Sequence, residues 1–226
     1  MRIGLNLLYL VPGEVGGTEI YARHLVAALA RLRPDDELVA FAGIEAAPTL
    51  RFDANVSVRR FPVRAASKPL RIAAEMSALP AAAARARVDL LHSLGTTSPL
   101  VTSCPRVVTI HDLIYEHFPA TFPPASRLGL RALVGPGARR ATRVHAISEF
   151  TKRDVMQRLR VPEERIDVVL NGYGIAPAER VTPEAELRER FGLGGDRVVL
   201  CVSAALEHKN LPRLIAAMDG VDARLV

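Results

Sequence analysis

The 226-residue chain contains only two cysteines and has no apolar run close to the roughly 20 residues that a membrane-spanning helix needs. Cys104 and Cys201 provide neither a disulfide framework nor a metal-ligand spacing, which is typical of proteins from a reducing compartment. The apolar opening, Met1–Val11, is interrupted by Asn6 and is followed by no small-residue cleavage site, so we predict no signal peptide. We therefore expect a cytoplasmic protein that can lie peripherally at the inner face of the plasma membrane.

Aromatic residues are scarce, at 5%, and do not alternate with the arginines, so nucleic-acid binding has little support. The chain is nevertheless 49% hydrophobic and 24% charged, which is ordinary for a globular protein and too apolar for a disordered one. Lysine and arginine outnumber aspartate and glutamate by 30 to 24, a net charge of +6. This excess permits an acidic partner, whether nucleic acid, phospholipid or sugar phosphate, and selects none of them.

Short β-rich apolar runs alternate with helical patterns along the chain. The clearest helix is Thr18–Arg33, whose apolar residues share one face and which Pro34 stops. This alternation predicts an α/β fold, a doubly wound, Rossmann-like parallel sheet with helices on both faces and right-handed crossovers. The candidate strands are Arg2–Leu8, Leu38–Ala42, Val56–Phe61, Val88–His92, Arg106–Ile110, Arg143–Ile147, Ile166–Leu170 and Arg197–Val202.

The order of these elements predicts one complete domain followed by the beginning of a second. Seven of the eight candidate strands lie before residue 171, and Asn171–Pro183 interrupts both periodicities in the manner of a linker. Thr182 and Pro183 are expected to begin a helix, as its N-cap and its first-turn proline. The predicted segments are a domain over 1–172, a linker and helix over 173–195, and the incomplete start of a second domain over 196–226.

Ligands of open α/β sheets bind outside the carboxyl ends of the strands, so the residues that follow the strands are candidate site residues. In a parallel sheet these residues share one edge although they are scattered in sequence. The candidates are Gly13–Thr18 after the first strand, His111 and Asp112 after the fifth, Ser148 and Glu149 after the sixth, and Asn171 and Gly172 after the seventh.

The loop after the first strand has no side chain at Gly16 or Gly17, so a ligand can approach its backbone closely. The N–H groups that begin the next helix would face that ligand, and the helix dipole would favour an anion there. An ordinary strand-to-helix turn with Thr18 as N-cap explains the same residues equally well. The loop lacks the Gly-x-Gly-x-x-Gly spacing, and no acidic residue ends the second strand, since Glu45 lies a few residues beyond it. Both features argue against a nicotinamide-type dinucleotide site.

His111 follows an apolar strand and precedes Asp112. One interpretation is an imidazole that donates a hydrogen bond to a hydroxyl or phosphate oxygen in a cleft, with Asp112 fixing the backbone nearby. For an isolated His-Asp pair, a structural cap of the strand end is the simpler interpretation. Ser148 is likewise expected to cap a helix over Glu149–Leu159. The histidines have no metal-ligand spacing, so we predict no metal site.

Two segments are rich in arginine, Arg59–Arg71 and Arg127–Arg143. Such surfaces can hold anionic lipid or a lipid-phosphate acceptor. A solvated basic face explains either segment taken alone.

Several stretches, in this order, resemble the retaining GT-B glycosyltransferases of the GT4 type, and the resemblance covers nearly the whole chain. The stretches are Gly16–Ala30 (GGTEIYARHLVAALA), Arg106–Pro119 (RVVTIHDLIYEHFP), Ala141–Val155 (ATRVHAISEFTKRDV), Ile166–Gly174 (IDVVLNGYG) and Val202–Met218 (VSAALEHKNLPRLIAAM).

The resemblance implies a role for each matching residue. Gly16 and Gly17 would approach the diphosphate of the donor, His111 would contact the transferred sugar in the catalytic cleft, and Lys209 would neutralise the diphosphate. The implied fold is the GT-B amino-terminal, acceptor-side domain followed by the start of the nucleotide-sugar donor domain. The implied reaction transfers a sugar from a nucleotide diphosphate sugar to a hydroxyl acceptor, with retention and without metal or other cofactor. The stretch around His111 resembles that of bacterial mannosyl- and rhamnosyltransferases that build surface polysaccharide.

Two departures from the family pattern bear on this expectation. The family often has an arginine six residues before the lysine, where this chain has Ser203. The family's Glu-x7-Glu motif would lie beyond residue 226, and the same spacing between Glu37 and Glu45 is accidental. We therefore expect the chain to be inactive alone. The alternatives are a non-catalytic module that binds an acceptor or a partner protein, and a dinucleotide-dependent oxidoreductase.

Overall fold

A computed structural model of the protein describes residues 1–172 and 181–226, which form two compact units. The first unit contains Met1–Leu113 and residues 124–172, and the second contains Ile114–Pro123 and residues 181–226. Most of the predicted linker, residues 173–180, lies outside the described residues.

The first unit is built on a seven-stranded parallel sheet with the order β3-β2-β1-β4-β5-β6-β7. The chain moves outward in one direction from β1 to β3 and in the other from β4 to β7, so the order reverses between β1 and β4. This confirms the predicted doubly wound α/β fold and places its switch point, where such sheets bind ligands, at the carboxyl ends of β1 and β4. The strands are β1 (Arg2–Leu7), β2 (Glu37–Ala42), β3 (Val56–Arg60), β4 (Leu90–Ser93), β5 (Arg106–Ile110), β6 (Arg143–Ala146) and β7 (Ile166–Val168).

Helices cover both faces of this sheet. On one face, Ala22 and Val26 of the first helix pack with Leu5 and Leu7 of β1 in a fully buried cluster. On the opposite face, Leu79 packs with the buried residues of β2 and β4. The helices of the first unit are α1 (Gly17–Leu32), α2 (Lys68–Met76), α3 (Ala78–Arg85), α5 (Pro124–Arg140) and α6 (Glu149–Leu159), and α4 (Ile114–His117) belongs to the second unit. No helix among the described residues is long and apolar enough to cross a bilayer.

The second unit contains a two-stranded parallel sheet of β8 (Val198–Val199) and β9 (Arg224–Leu225), with α7 (Glu184–Arg190) and α8 (Leu211–Ala217). Within this unit large apolar side chains stay exposed, including Leu200 at 70% and Val202 at 89%. Of the strand expected over Arg197–Val202, the structure forms only the two residues of β8. The predicted cap of the helix before it is wrong: α7 begins at Glu184 after Pro183, and no side chain of the described residues caps it.

Candidate functional site

The sequence-predicted site residues divide between the two units. Seven of them (Gly16, Gly17, His111, Asp112, Ser148, Glu149 and Asn171) belong to the first unit and follow the carboxyl ends of β1, β5, β6 and β7. Lys209 belongs to the second unit.

The loop after β1 is open at its glycines. Gly16 adopts φ 57° and ψ −129°, a conformation that favours glycine, and it is the N-cap of α1 without a side-chain cap among the described residues. Nothing lies within 4 Å of a Cβ placed at Gly16 or Gly17. The turn with Thr18 as N-cap is wrong, because Thr18 lies inside α1 and its hydroxyl donates back to the Val15 carbonyl at 2.8 Å. The start of α1 thus presents backbone without covering side chains.

A carboxylate that sequence reasoning missed lies in the first turn of α1, beside this loop. Glu19 Oε2 accepts a hydrogen bond from the Gly13 N–H at 2.7 Å, and Oε1 pairs with Arg23 at 2.8 Å. Partial burial would raise the pKa of Glu19, but these two hydrogen bonds outweigh it and hold the pKa below its usual value. The ionised carboxylate occupies the Gly13 end of the loop, so an anion is favoured only at the Gly16–Gly17 end.

His111 is held by the loop after β4. Its Nε2 lies 2.8 Å from the Leu94 carbonyl oxygen, and the ring is buried, with 8% exposure. A carbonyl only accepts, so Nε2 carries the hydrogen. Burial lowers the pKa of His111, which leaves the ring neutral near pH 7 with a lone pair on Nδ1. This geometry reverses the expected polarity: the nitrogen that remains for a ligand accepts a hydrogen bond from a hydroxyl and does not donate one.

A polar cluster that sequence reasoning also missed surrounds His111 on the face of the sheet that α1 covers. The ring of Tyr21 meets that of His111 edge-on, with centroids 4.9 Å apart. The Tyr21 hydroxyl lies 3.1 Å from Thr109 Oγ1, which in turn lies 2.9 Å from His92 Nε2. His145 meets His92 edge-on at 5.0 Å. The sequence signal for this cluster was Thr109, a polar residue inside a mostly apolar strand. It lies two residues before His111 and therefore on the same face of the sheet.

Ser148 has the structural role expected from its sequence. Its hydroxyl oxygen accepts from the Thr151 N–H at 3.1 Å and caps α6, which spans the predicted Glu149–Leu159. Thr151 Oγ1 lies 3.4 Å from the His111 carbonyl oxygen, so the cap also fastens the residue after β5. Asp112, Glu149 and Asn171 are exposed side chains on the same edge of the sheet.

The buried carboxyl group of Glu75 forms hydrogen bonds at the switch point of the sheet. Glu75, at 2% exposure, accepts hydrogen bonds from Asn6 Nδ2 at 2.8 Å and from Thr97 Oγ1 at 2.8 Å. Asn6 Oδ1 accepts from the Leu8 N–H at 3.1 Å. Burial raises the pKa of Glu75, against smaller opposing effects of these hydrogen bonds. The group ties α2 to the end of β1 and to the loop after β4 that also carries Leu94.

In the second unit, Lys209 is exposed and ends a short 3-10 turn just before α8. α8 begins two residues later, at Leu211, so Lys209 lies before the helix. Ser203, at the family's arginine position, is also exposed and its hydroxyl donates to the Ala204 carbonyl at 3.2 Å. A cavity of about 400 Å³ in this unit is lined by Asp196, Arg197 and residues 221–224. These residues lie at the amino ends of β8 and β9, whereas Ser203 follows the carboxyl end of β8.

Solved structures share the fold. A glycosyltransferase from Rickettsia africae matches with a TM-score of 0.58 and 16% identity, over 99% of this chain and 59% of that one. WaaG, a glycosyltransferase involved in lipopolysaccharide biosynthesis, matches with 0.63 and 15%, over 99% and 62%. A UDP-GlcNAc 2-epimerase from Methanocaldococcus jannaschii matches with 0.51 and 11%, over 100% and 64%. The chain thus spans about three fifths of these structures, and identities this low establish the fold alone.

The sequence itself identifies the family. No curated protein matches the chain. The family model of Glycosyltransferase Family 4, however, matches residues 15–176. These include Gly16, Gly17, His111, Ser148 and Asn171 but not Lys209. This match covers more than half of the chain and includes β5, β6 and β7 of the seven-stranded sheet. The chain therefore belongs to Glycosyltransferase Family 4.

Proposed function

We propose that the chain supplies the acceptor-side part of an enzyme that moves a sugar from a nucleotide diphosphate sugar to a hydroxyl acceptor, with retention at the anomeric carbon. The observation that carries this proposal is the pairing, at one sheet edge of a family 4 chain, of an uncovered helix start at Gly16 with an oriented His111. The first suits a phosphate oxygen and the second a sugar hydroxyl.

Each residue then has a defined part in the reaction. The backbone at Gly16 and Gly17 approaches the donor diphosphate, and His111 Nδ1 accepts a hydrogen bond from a hydroxyl of the transferred sugar. Lys209 neutralises the diphosphate as it leaves. Helix N–H groups and a basic side chain can stabilise this leaving group without a metal, so the proposed reaction uses no cofactor.

The proposed donor sugar is of the mannose or rhamnose type, and the proposed product is a bacterial polysaccharide or glycolipid. The resemblance of the residues around His111 supports the sugar type. WaaG, which has the same fold, acts in lipopolysaccharide biosynthesis, and this is compatible with the proposed product.

Peripheral contact with an anionic membrane is proposed for α2 and α5. Both helices follow the carboxyl end of a strand, and right-handed crossovers place them on the same face of the sheet. Each carries an exposed leucine and exposed basic residues: Leu70, 62% exposed, with Lys68 in α2, and Leu128, 69% exposed, with Arg131 in α5. Exposed apolar side chains flanked by cations suit the headgroup region of an anionic bilayer. A lipid-linked hydroxyl acceptor would be reached at such a surface.

The experiment that tests the function uses the full product of the gene with a panel of UDP-, GDP- and dTDP-sugars and hydroxyl acceptors. Release of nucleoside diphosphate together with a glycosylated acceptor is the expected result. Acceptor binding without any sugar transfer across the panel would contradict it and favour the non-catalytic binding module. The oxidoreductase alternative rested on the glycines after β1. Gly16 and Gly17 lie within the match to Glycosyltransferase Family 4, so we no longer propose an oxidoreductase.

A further inference from the structure

One hydrogen bond does not by itself orient an imidazole ring. The contact between His111 Nε2 and the Leu94 carbonyl, 2.8 Å long, fixes one atom and leaves the ring free to swing about it. The edge-on contact with Tyr21, at 4.9 Å between centroids, provides a second constraint on the same ring. The Leu94 carbonyl and the Tyr21 ring together restrict where the lone pair of Nδ1 points.

Tyr21 is itself fastened to the sheet. Its hydroxyl lies 3.1 Å from Thr109 Oγ1 on β5, and the same oxygen lies 2.9 Å from His92 Nε2 on β4. Thr109 is fully buried, and burial lowers the pKa of His92 to about 3, so this imidazole is neutral at pH 7. A threonine hydroxyl both donates and accepts, so it satisfies Tyr21 and His92 together.

The chain of contacts also joins the two parts of the candidate site. Tyr21 lies in the first turns of α1, directly after the Gly16–Gly17 loop, and its ring reaches the residue that follows β5. A shift of α1 would therefore be felt by His111 through this ring.

We propose that Tyr21 is a positioning residue for His111: its ring holds the imidazole in the orientation set by Leu94, and its hydroxyl, held by Thr109 and His92, keeps that ring in place. The competing explanation is that Tyr21 only fills the core between α1 and the sheet. The consequence for turnover rests on the proposed glycosyl transfer, whereas the orientation of His111 does not.

The first test is NMR of the histidine rings in this chain, with long-range ¹⁵N–¹H correlations over a pH series and His111 assigned by its loss in His111→Gln. In Tyr21→Leu we expect His111 to lose its single Nε2–H tautomer and its pKa to rise towards the ordinary value. In Tyr21→Phe, which keeps the ring, we expect the tautomer to persist while the His92 signals move.

A matched control is Phe41→Leu. Phe41 is a buried aromatic residue that meets Phe61 edge-on at 5.9 Å in the core on the opposite face of the sheet. This variant should lower the unfolding temperature as Tyr21→Leu does and leave the His111 signals unchanged. Unchanged His111 signals in Tyr21→Leu, or equal changes in Phe41→Leu, would overturn the proposal.

The second test is kinetic, on the full product of the gene. Tyr21→Leu should lower kcat by about 10- to 100-fold, the cost of a misplaced group, with KM within about twofold. Full turnover in Tyr21→Leu would contradict the positioning role. A wild-type protein that transfers no sugar but whose His111 signals respond to Tyr21→Leu would contradict the proposed function and support the positioning role.

Discussion

At the scale of single residues, the sequence could predict which residues lie at the sheet edge but not what holds them. His111 and Gly16 follow strands, and the rule that parallel strands end at one edge is enough to bring them together. Tyr21, Thr109 and His92 come from a helix and two strands, and their contacts depend on the register of β4 and β5, in which His92 pairs with Val107. No local pattern specifies such a register. The donor and acceptor polarity of His111 depends on the same geometry.

Replacing His111 tests the role of its free nitrogen. His111→Ala should lower turnover of the full gene product by 10²–10³, or about 2.7–4 kcal/mol, the usual effect of removing one hydrogen bond to a transition state. His111→Gln is the matched variant, because its amide can donate to the Leu94 carbonyl and still accept from a sugar hydroxyl, and it should keep more of the rate. Steady-state kinetics of both variants measures the difference. An Ala variant with the wild-type rate would remove His111 from the mechanism.

Buried histidines should make the fold sensitive to acid. Burial lowers the pKa of His92, to about 3, and also lowers the pKa values of His111 and His145. Below the ordinary histidine pKa of about 6.5, the unfolded chain therefore binds protons that the folded chain excludes, and stability falls as the pH falls. Glu75 has the opposite effect on stability, because burial raises its pKa. Its protonated form favours the folded state at a pH below its pKa in the unfolded chain, and this contribution is lost as the pH rises through its pKa in the folded state.

With three histidines against one carboxyl group, the free energy of unfolding should rise from pH 5 to pH 7 by up to about 1.4 kcal/mol per pH unit for each titrating histidine. Urea unfolding at pH 5, 6 and 7 measures this slope. His92→Gln, which removes the most strongly shifted histidine, should flatten it. A wild-type stability that is constant or falls over this range would contradict the burial of neutral histidines.

At the scale of elements, the predictability of each segment follows from its pattern. The mostly apolar run Arg106–Ile110 is β5 with the predicted bounds, because a strand covered on both faces needs no strict alternation. α2 and α3 escaped prediction because both are short, with nine and eight residues, and because the prolines at 69 and 80 read as helix breakers. Both prolines lie in a first helical turn, where the missing N–H is not needed. The strand after residue 196 was overestimated, because β8 has only β9 to pair with among the described residues.

The glycine loop offers a clean test of backbone conformation. A Cβ at Gly16 or at Gly17 meets nothing within 4 Å, but only Gly16 has a positive φ, of 57°. Gly16→Ala should therefore destabilise the fold by about 1–3 kcal/mol through strain alone, while Gly17→Ala should be neutral or slightly stabilising. Urea unfolding of the two variants measures the difference. Equal stability of the pair would contradict the described loop conformation.

Membrane contact can be tested on α2 with a matched variant on α1. Lys68→Glu with Leu70→Ser should weaken binding to anionic vesicles, and binding by the wild type should fall as salt rises. Arg31→Glu with Leu32→Ser makes the same charge and polarity change at exposed residues of α1, on the other face of the sheet, and should have little effect. Vesicle sedimentation with neutral and anionic lipids measures both. Equal sedimentation with the two lipids would leave only a solvated basic face.

At the scale of the whole molecule, the chain is a family 4 protein that spans about three fifths of the structures it matches. Its first unit has a seven-stranded sheet covered on both faces, whereas the described residues of the second unit pair two short strands and leave Leu200 and Val202 exposed. The sheet edge of the first unit holds most of the candidate residues, and Lys209 alone represents the donor side. We therefore propose that the 226 residues by themselves bind nucleotide diphosphates weakly and do not turn over.

Retention at the anomeric carbon is tested by the anomeric configuration of the first product. ¹H NMR follows this configuration during sugar transfer by the full product of the gene, and the 226-residue chain is assayed in parallel. The new glycosidic bond should keep the configuration of the donor sugar, and the 226-residue chain should form no product. An inverted product would contradict the proposed reaction. Transfer by the 226-residue chain with micromolar nucleotide affinity would show that the whole active site lies within Met1–Val226 and contradict the proposal that these residues do not turn over by themselves.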